Sequence, residues 1–389
     1  MTGRERILAA FRGEKVDFVP FAPNLYQWFY YHLANKNLPT EIAHAQHPFE
    51  VLRHLGAEIL ARWDTQSATR ETYKAGKYTG TYSGETGDDT PLVTAFNRYP
   101  PGKSQCQRKF ATPYGALTQT WAYTKEAGAD FELAHWWKSW EDYPAVRFME
   151  ESVEYTFDAA AFHQWVERAG NDGVVMLHLT ESPLKRLHWL AGPENASLFI
   201  LDHPEEMQAL ARIHEKKALS LLESVVDSPD ADIFVALDNL DSFFYSPQFY
   251  QEYCHNFFSQ AAEIIHRRGK FLVVHACGRN RVLLPLAGRS GVDCLEGITP
   301  PPLGDVELHE ARRLAGWENF TVNGGMDAPH QEIAADAETQ LHQYTQNLFR
   351  AMSDKRHFIF ASSCNTSYQA PWKNLVYFRD AAREYGRID

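Results

Sequence analysis

The sequence predicts an α/β fold, specifically a distorted (β/α)8 barrel of the TIM type with a β-rich excursion in its N-terminal part. From Gly173 onward, apolar segments of strand length alternate with amphipathic helices, which implies crossover connections and a parallel sheet. These segments are continuously apolar, as is typical of strands covered on both faces. No glycine-rich phosphate loop occurs, and such a loop would favour an open, doubly wound sheet instead.

The elements before Gly173 are mixed. ERILAAFRG is typical of a short amphipathic helix that ends at Gly13, and PFEVLRHLG of a second helix that ends at Gly56. Residues 74–140 are rich in Gly, Thr, Ser and Pro, and GALTQTWAY within them alternates like a half-buried strand. We therefore interpret residues 74–140 as a β-rich insertion or lid within a single domain that spans residues 1–389.

Six strand–helix units follow, and one or two more upstream would complete a barrel. One of the helices is marked at both ends, because Ser246 is a good N-cap, Pro247 fits the first helical position and Gly269 ends the pattern. The strand segments are GVVMLHLT, ADIFVAL, KFLVV, VDCLEGI, FTVNGG and HFIFASS.

Composition excludes several classes of protein. The net charge is −12 without a basic block, which argues against general nucleic-acid binding. No apolar run approaches the length of a membrane span, and the N-terminus lacks a secretory pattern. The 5 cysteines are too sparse for a disulfide framework. We therefore expect a cytoplasmic protein with free thiols.

Polar side chains follow the predicted strands at the ends where barrel chemistry takes place. These candidate site residues are Glu181, Asp238, Asn239, Asp241, His275, Cys277, Asp327 and Cys364. For the acids and Asn239, helix capping and loop solvation are the alternative interpretation. Tyr26 and Trp28 belong to the aromatic segment LYQWFYYHL, which could form either the core or the wall of an apolar substrate pocket.

His275 and Cys277 are two positions apart, so on an extended segment their side chains point the same way. Cys364 follows a later strand, so we expect it at the same carboxyl end of the barrel. One imidazole and two thiolates are a ligand set found in catalytic zinc sites with an open fourth position. The alternative is an ordinary strand end, since a buried cysteine behaves as a small hydrophobic residue.

The whole chain resembles the uroporphyrinogen decarboxylase superfamily. The likeness runs from about residue 2 to 386 and rests on TGRERILAAFRGEKVDFVP, TPYGAL, SPQFYQEY, IIHRRGKFLVVHACG, GGMD and EYG in that order. It implies a distorted (β/α)8 barrel with its site at the C-terminal mouth. It also offers two chemistries, a decarboxylase that holds its acidic substrate with N-terminal arginines and zinc-dependent methyltransferases that work with corrinoid proteins.

The N-terminal segment favours the second chemistry, because no arginine occurs between Arg12 and Arg53. The methyltransferase branch carries a His-x-Cys pair and a distant Cys as zinc ligands, which His275, Cys277 and Cys364 match. The resemblance thus implies Zn²⁺ as cofactor, a small methylated substrate or thiol, and a corrinoid on a separate partner protein. Asp238, Asp241 and Glu181 would then be catalytic.

Two other functions remain open at this point. A metal-free decarboxylase or lyase acting on a smaller acid would use the carboxylates at the strand ends. In that case the cysteines would have no role in the chemistry. For the methyltransferase, Asn239, Tyr26, Trp28 and Asp327 are the residues expected to contact the substrate. A non-catalytic partner or sensor of a corrinoid pathway would bind a corrinoid protein without turnover.

Overall fold

The structure is a computed structural model that describes residues 1–62, 64, 68–85, 92–94, 97–125, 127–352 and 354–388. It is a mixed α/β protein, and its largest sheet is parallel, which confirms the α/β class and the parallel sheet predicted from the sequence. The single-domain organisation stays a prediction.

The N-terminal part supplies three helices and a short strand. They are α1 (Gly3–Arg12), α2 (Tyr26–Ala34), α3 (Pro48–Leu55) and β1 (Ile59–Ala61). Helix α1 begins at Thr2, which forms a capping box with Glu5, and ends at Gly13, whose φ of 65° suits a residue without a side chain.

Residues 69–134 form mainly antiparallel strands. The strands are β2 (Thr69–Tyr73), β3 (Lys77–Ser83), β4 (Leu92–Val93), β5 (Arg98–Tyr99), β6 (Gln105–Thr112), β7 (Gly115–Thr124) and β8 (Ala129–Ala134). Four of them make an antiparallel sheet in the order β3-β6-β7-β8. Parts of the predicted insertion, residues 86–91, 95, 96 and 126, lie outside the described residues.

The chain then alternates between strands and helices. The strands are β9 (Val153–Phe157), β10 (Gly173–Val175), β11 (Leu177–His178), β12 (Ile233–Leu240), β13 (Phe271–Ala276), β14 (Cys294–Ile298), β15 (Thr321–Met326) and β16 (Phe358–Ser362). The helices are α4 (Tyr143–Ser152), α5 (Ala159–Ala169), α6 (Pro183–Ala191), α7 (Pro193–Asp202), α8 (Pro204–Val225), α9 (Pro247–Tyr253), α10 (His255–His266), α11 (Leu284–Arg289), α12 (Leu308–Ala315), α13 (Ala328–Gln331), α14 (Ala337–Ala351) and α15 (Trp372–Tyr385).

Strands β11 to β16 form a six-stranded parallel sheet in sequence order. Backbone hydrogen bonds also lead from β16 back to β11. Ala22 N–H donates to Phe360 O (2.9 Å), and Glu58 N–H donates to Phe21 O (2.9 Å). Strand β1 then pairs in parallel with β10, which directly precedes β11.

The helix predicted from Ser246 to Gly269 is divided into α9 and α10 at Cys254, whose φ is −116°. The Cys254 side chain is fully buried and its Sγ lies 3.5 Å from Ser182 Oγ, so the distortion accompanies a contact with the N-terminal end of α6. Among the described residues, no helix is both long enough and apolar enough to cross a bilayer.

A cluster of buried apolar side chains joins α1 to one face of the strands. It takes alternate residues from β12 and β16, as the period of two requires. Its members include Ile7 and Phe11 of α1, Val174, Met176, Ile233, Val235, Leu237, Val273, Cys294, Ile359 and Ala361.

Candidate metal centre

Two strand ends bring His275, Cys277 and Cys364 together. His275 lies in β13, Cys277 follows that strand, and Cys364 lies just beyond β16. Their ligand atoms all lie within 4.8 Å of one another, and His275 Nε2 is 3.6 Å from Cys364 Sγ. His275 is buried and both thiols are partly buried. The sequence prediction that these three side chains meet at the carboxyl ends of the strands therefore agrees with their positions.

The period of two along β13 explains the direction of His275. Val273 packs in the interior cluster, so His275, two residues later, extends that inner row to the carboxyl end of the strand. The chain then turns at Gly278, whose φ is +89°. A Cβ atom at Gly278 would lie 2.0 Å from Asp241 Oδ2, so the loop that carries Cys277 packs directly against Asp241.

The second ring nitrogen of His275 faces a buried ion pair. His275 Nδ1 lies 2.5 Å from Glu296 Oε2 and 2.6 Å from Arg62 Nη1, and Arg62 and Glu296 pair with each other. Arg62 also donates to the carbonyl oxygen of Cys364 (3.4 Å). Glu296 therefore fixes the ring of His275 and leaves Nε2 facing the two thiols.

Sequence reasoning did not single out Glu296 or Arg62. A signal for Glu296 existed, since it is an acid inside the otherwise apolar strand segment CLEGI. An acid in a strand covered on both faces needs a buried partner. No sequence pattern around Arg62 indicated that it would lie beside His275.

Burial and mutual contacts shift the pKa values of the three side chains. Burial lowers the pKa of His275 to about 4, and Arg62 acts in the same direction, so the imidazole is neutral. A hydrogen bond from Cys277 lowers the pKa of Cys364 well below its ordinary value, against the effect of burial. The same hydrogen bond and burial raise the pKa of Cys277. The pair therefore behaves as one thiolate that accepts a hydrogen bond from one thiol.

Asp238 lies apart from this cluster and is fully buried. It accepts hydrogen bonds from Ser182 N–H (3.1 Å) and from the Ser182 hydroxyl, while the Tyr245 hydroxyl lies 3.4 Å away. Burial raises the pKa of Asp238 to about 6. The structure thus places Asp238 where it anchors the beginning of α6, and its predicted catalytic role stays a prediction.

The other predicted residues occupy different positions. Asp241 accepts a hydrogen bond from Phe243 N–H (2.9 Å), and Asp327 caps α13 by accepting from His330 N–H (3.3 Å). The Tyr26 hydroxyl donates to Asp64. Trp28 is 1% exposed and donates to Ala370 O (2.9 Å), which places it in the core. Their predicted roles in catalysis or substrate binding stay predictions.

Glu181 and Asn239 line a cavity of about 230 Å³ near the carboxyl ends of β11 and β12. Arg108 and Trp121, from the antiparallel sheet, cover it on the other side. It is lined by residues of both sheets.

Comparisons with known proteins agree with this architecture. The family model described as uroporphyrinogen decarboxylase (URO-D) matches residues 110–385. The structure of a methyltransferase from Methanosarcina mazei is similar, with a TM-score of 0.59 and 13% identity over 99% of both chains.

A B12-independent methionine synthase from Shewanella sp. W3-18-1, in complex with selenomethionine, gives a TM-score of 0.45 and 11% identity over 95% of this chain and 96% of that one. None of the curated proteins compared with the chain matches it. At such identities, the likeness to the Methanosarcina mazei structure concerns the fold.

Proposed function

The chain belongs to the uroporphyrinogen decarboxylase (URO-D) family, and within that family we propose that it is a zinc-dependent methyltransferase. It would move a methyl group between a small methylated substrate or thiol and the cobalt of a corrinoid carried on a partner protein. The corrinoid partner rests on the resemblance of the His-x-Cys pair and the distant Cys to that branch of the family.

The fold supports this proposal. The six-stranded sheet, together with residues 20–22, β1 and β10, would make the distorted (β/α)8 barrel that the family implies. In such a barrel the carboxyl ends of the strands carry the site. His275, Cys277 and Cys364 all lie at that end.

The observation that carries the proposal is the convergence of three ligand atoms within 4.8 Å of one another. The donor set fits zinc, because one neutral imidazole and two sulfur atoms leave a fourth position open in a tetrahedral site. Sulfur ligands disfavour magnesium and calcium. The buried carboxylate of Glu296 beside His275 Nδ1 is the partner that metal-binding histidines usually have.

When bound, zinc would supply a Lewis acid that favours the thiolate of an acceptor or draws electron density from the heteroatom carrying the methyl group. The chain's own residues would prepare that site. Glu296 orients the imidazole of His275, and Arg62 balances the charge of Glu296. The Cys277–Cys364 pair would give up its remaining proton when the metal binds.

The first test is the zinc content of protein purified without chelator, measured by elemental mass spectrometry. We expect about one zinc per chain, as for other three-ligand catalytic sites. The second test is incubation with methylcobalamin and a panel of thiols, followed by absorbance. A protein that takes up no zinc, even on soaking, and decarboxylates a small acid would overturn the proposal in favour of the metal-free alternative.

A further inference from the structure

Two residues that line the cavity of about 230 Å³ carry buried polar atoms without a partner among the described residues. His178 and Thr180 line it and are 7% and 5% exposed. Among the described residues, no group forms a hydrogen bond with His178 Nε2 or Thr180 Oγ1. Leaving a buried polar atom unsatisfied is costly, so these atoms point to a ligand that completes their hydrogen bonds.

The cavity also contains two cations that no carboxylate neutralises at ion-pair distance within the described part of the chain. One is Lys185, in the first turn of α6, whose Nζ lies 5.6 Å from the centre of the Trp189 ring. The other is Arg108, which donates only to the amide oxygens of Gln119 (3.1 Å) and Asn97 (2.6 Å).

The two acids of the cavity are not equivalent. Glu71 pairs with Arg186 at 2.8 Å, and Arg186 also pairs with Glu150 at 2.6 Å. Glu181 has no basic group within ion-pair distance among the described residues. Lys185 and Arg108 are the cations of the cavity that lack a carboxylate partner within the described part of the chain, and they favour a ligand with a negative group.

Lys185 connects this cavity to the metal centre. It lines the cavity, and its charge is close enough to act on Cys277 and His275. Trp121 and Trp189 offer flat apolar surfaces in the same space. A molecule bound here by a negative group would thus have its remaining atoms against these aromatic side chains.

We propose that this cavity binds a small methylated substrate through an anionic group such as a carboxylate, and that Lys185 is the specificity-determining residue for that group. The inference rests on the proposed methyltransferase function, because it names the substrate class of the same site. His178 Nε2 and Thr180 Oγ1 would complete the hydrogen bonds of the substrate.

The test uses three probes that share a 4-methoxyphenyl group and differ in charge: 4-methoxybenzoate, 4-methoxybenzamide and 4-methoxybenzylamine. Their affinities for the purified full-length protein are measured by isothermal titration calorimetry. We expect the benzoate to bind about tenfold or more tightly than the amide and the amine, as a charge-assisted hydrogen bond allows. Lys185→Gln should abolish this preference, and Lys185→Arg should largely retain it.

Lys216→Gln serves as the matched control, because Lys216 is exposed on α8. Circular dichroism confirms that each variant is folded. The proposal is overturned if the benzoate binds no better than the amide, whether both bind or neither does. It is also overturned if the amine is preferred, or if Lys185→Gln leaves the preference for the benzoate unchanged.

Zinc content and methyl transfer are measured on the same preparations. A carboxylate preference that depends on Lys185, in a protein without zinc or transfer, would sustain this inference and refute the proposed function. Zinc binding and methyl transfer without that preference would support the proposed function and refute this inference.

Discussion

His275 and Glu296 are register partners in the neighbouring parallel strands β13 and β14, and His275 Nδ1 lies 2.5 Å from Glu296 Oε2. The imidazole is thus oriented by a residue of the next strand rather than by its own loop. Because both side chains are buried, the pair is shielded from competing water.

Glu296→Gln should weaken zinc binding about 10- to 100-fold, because the imidazole loses a charged partner that orients it and raises its basicity. The measurement is the zinc dissociation constant from competition with a chromophoric chelator. Glu310→Gln is the control, since Glu310 is an acid in the first turn of α12 that pairs with Arg281 and Arg313. Equal zinc affinity in the two variants would show that Glu296 does not support the metal centre.

Cys364→Ala should remove most of the bound zinc, because two protein ligands hold the metal far less well than three. Cys254→Ala should keep it, since Cys254 is buried between α9 and α10 and its sulfur contacts Ser182. Elemental mass spectrometry of both variants checks the prediction. Equal metal retention in the two would rule out Cys364 as a ligand.

Gly278→Ala should destabilise the loop that carries Cys277. The new Cβ would lie 2.0 Å from Asp241 Oδ2, and the φ of +89° is unfavourable for alanine. Gly316→Ala is the control, because its φ is +70° but no atom lies within 4 Å of the added Cβ.

In either variant, the positive φ should lower the free energy of unfolding by about 1–2 kcal/mol, because alanine disfavours this conformation. We expect the Gly278 variant to lose more than that in denaturant unfolding, and to bind less zinc than the Gly316 variant. A similar loss of stability and full zinc content in both would contradict the packing between Gly278 and Asp241.

Asp238 should make the protein less stable as the pH rises. Its pKa is about 6 in the folded protein against an ordinary value of 3.8, because burial penalises the charged form. The folded state therefore holds the proton more tightly than the unfolded state. This tighter binding adds about 3 kcal/mol to the free energy of unfolding below about pH 4. The contribution is lost as the pH rises to about 6.

Asp238→Asn should remove this part of the pH dependence, because asparagine does not titrate. The measurement is the free energy of urea unfolding between pH 4 and pH 7, with the exposed Asp202→Asn variant as control. The assignment fails if the Asp238 variant keeps the slope of the wild-type protein over this range.

The sequence predicted the parallel sheet and the meeting of His275, Cys277 and Cys364, because each of these residues follows an apolar run and parallel strands end at one edge. It did not identify Glu296 as a partner of His275. That relationship depends on the register between β13 and β14, which no local pattern encodes.

Trp28 is a second residue whose position could not be predicted from the sequence. Its helix, α2, carries apolar or aromatic side chains on every face, so the sequence could not tell which of them would be buried. In the structure Trp28 is in the core, while the aromatic residues of the cavity come from β7, β9 and α6 instead. The short helices α6 and α7 were not predicted either, since Pro193 and Gly192 interrupt their periodicity.

The pairing of residues 20–22 with β16 has a consequence for biosynthesis. The N-terminal segment finds this neighbour only in a strand that is translated long after it, and contacts of such long sequence separation form slowly. Cys364 emerges from the ribosome after β16. A nascent chain can therefore offer all three ligands to zinc only after β16 has been synthesised.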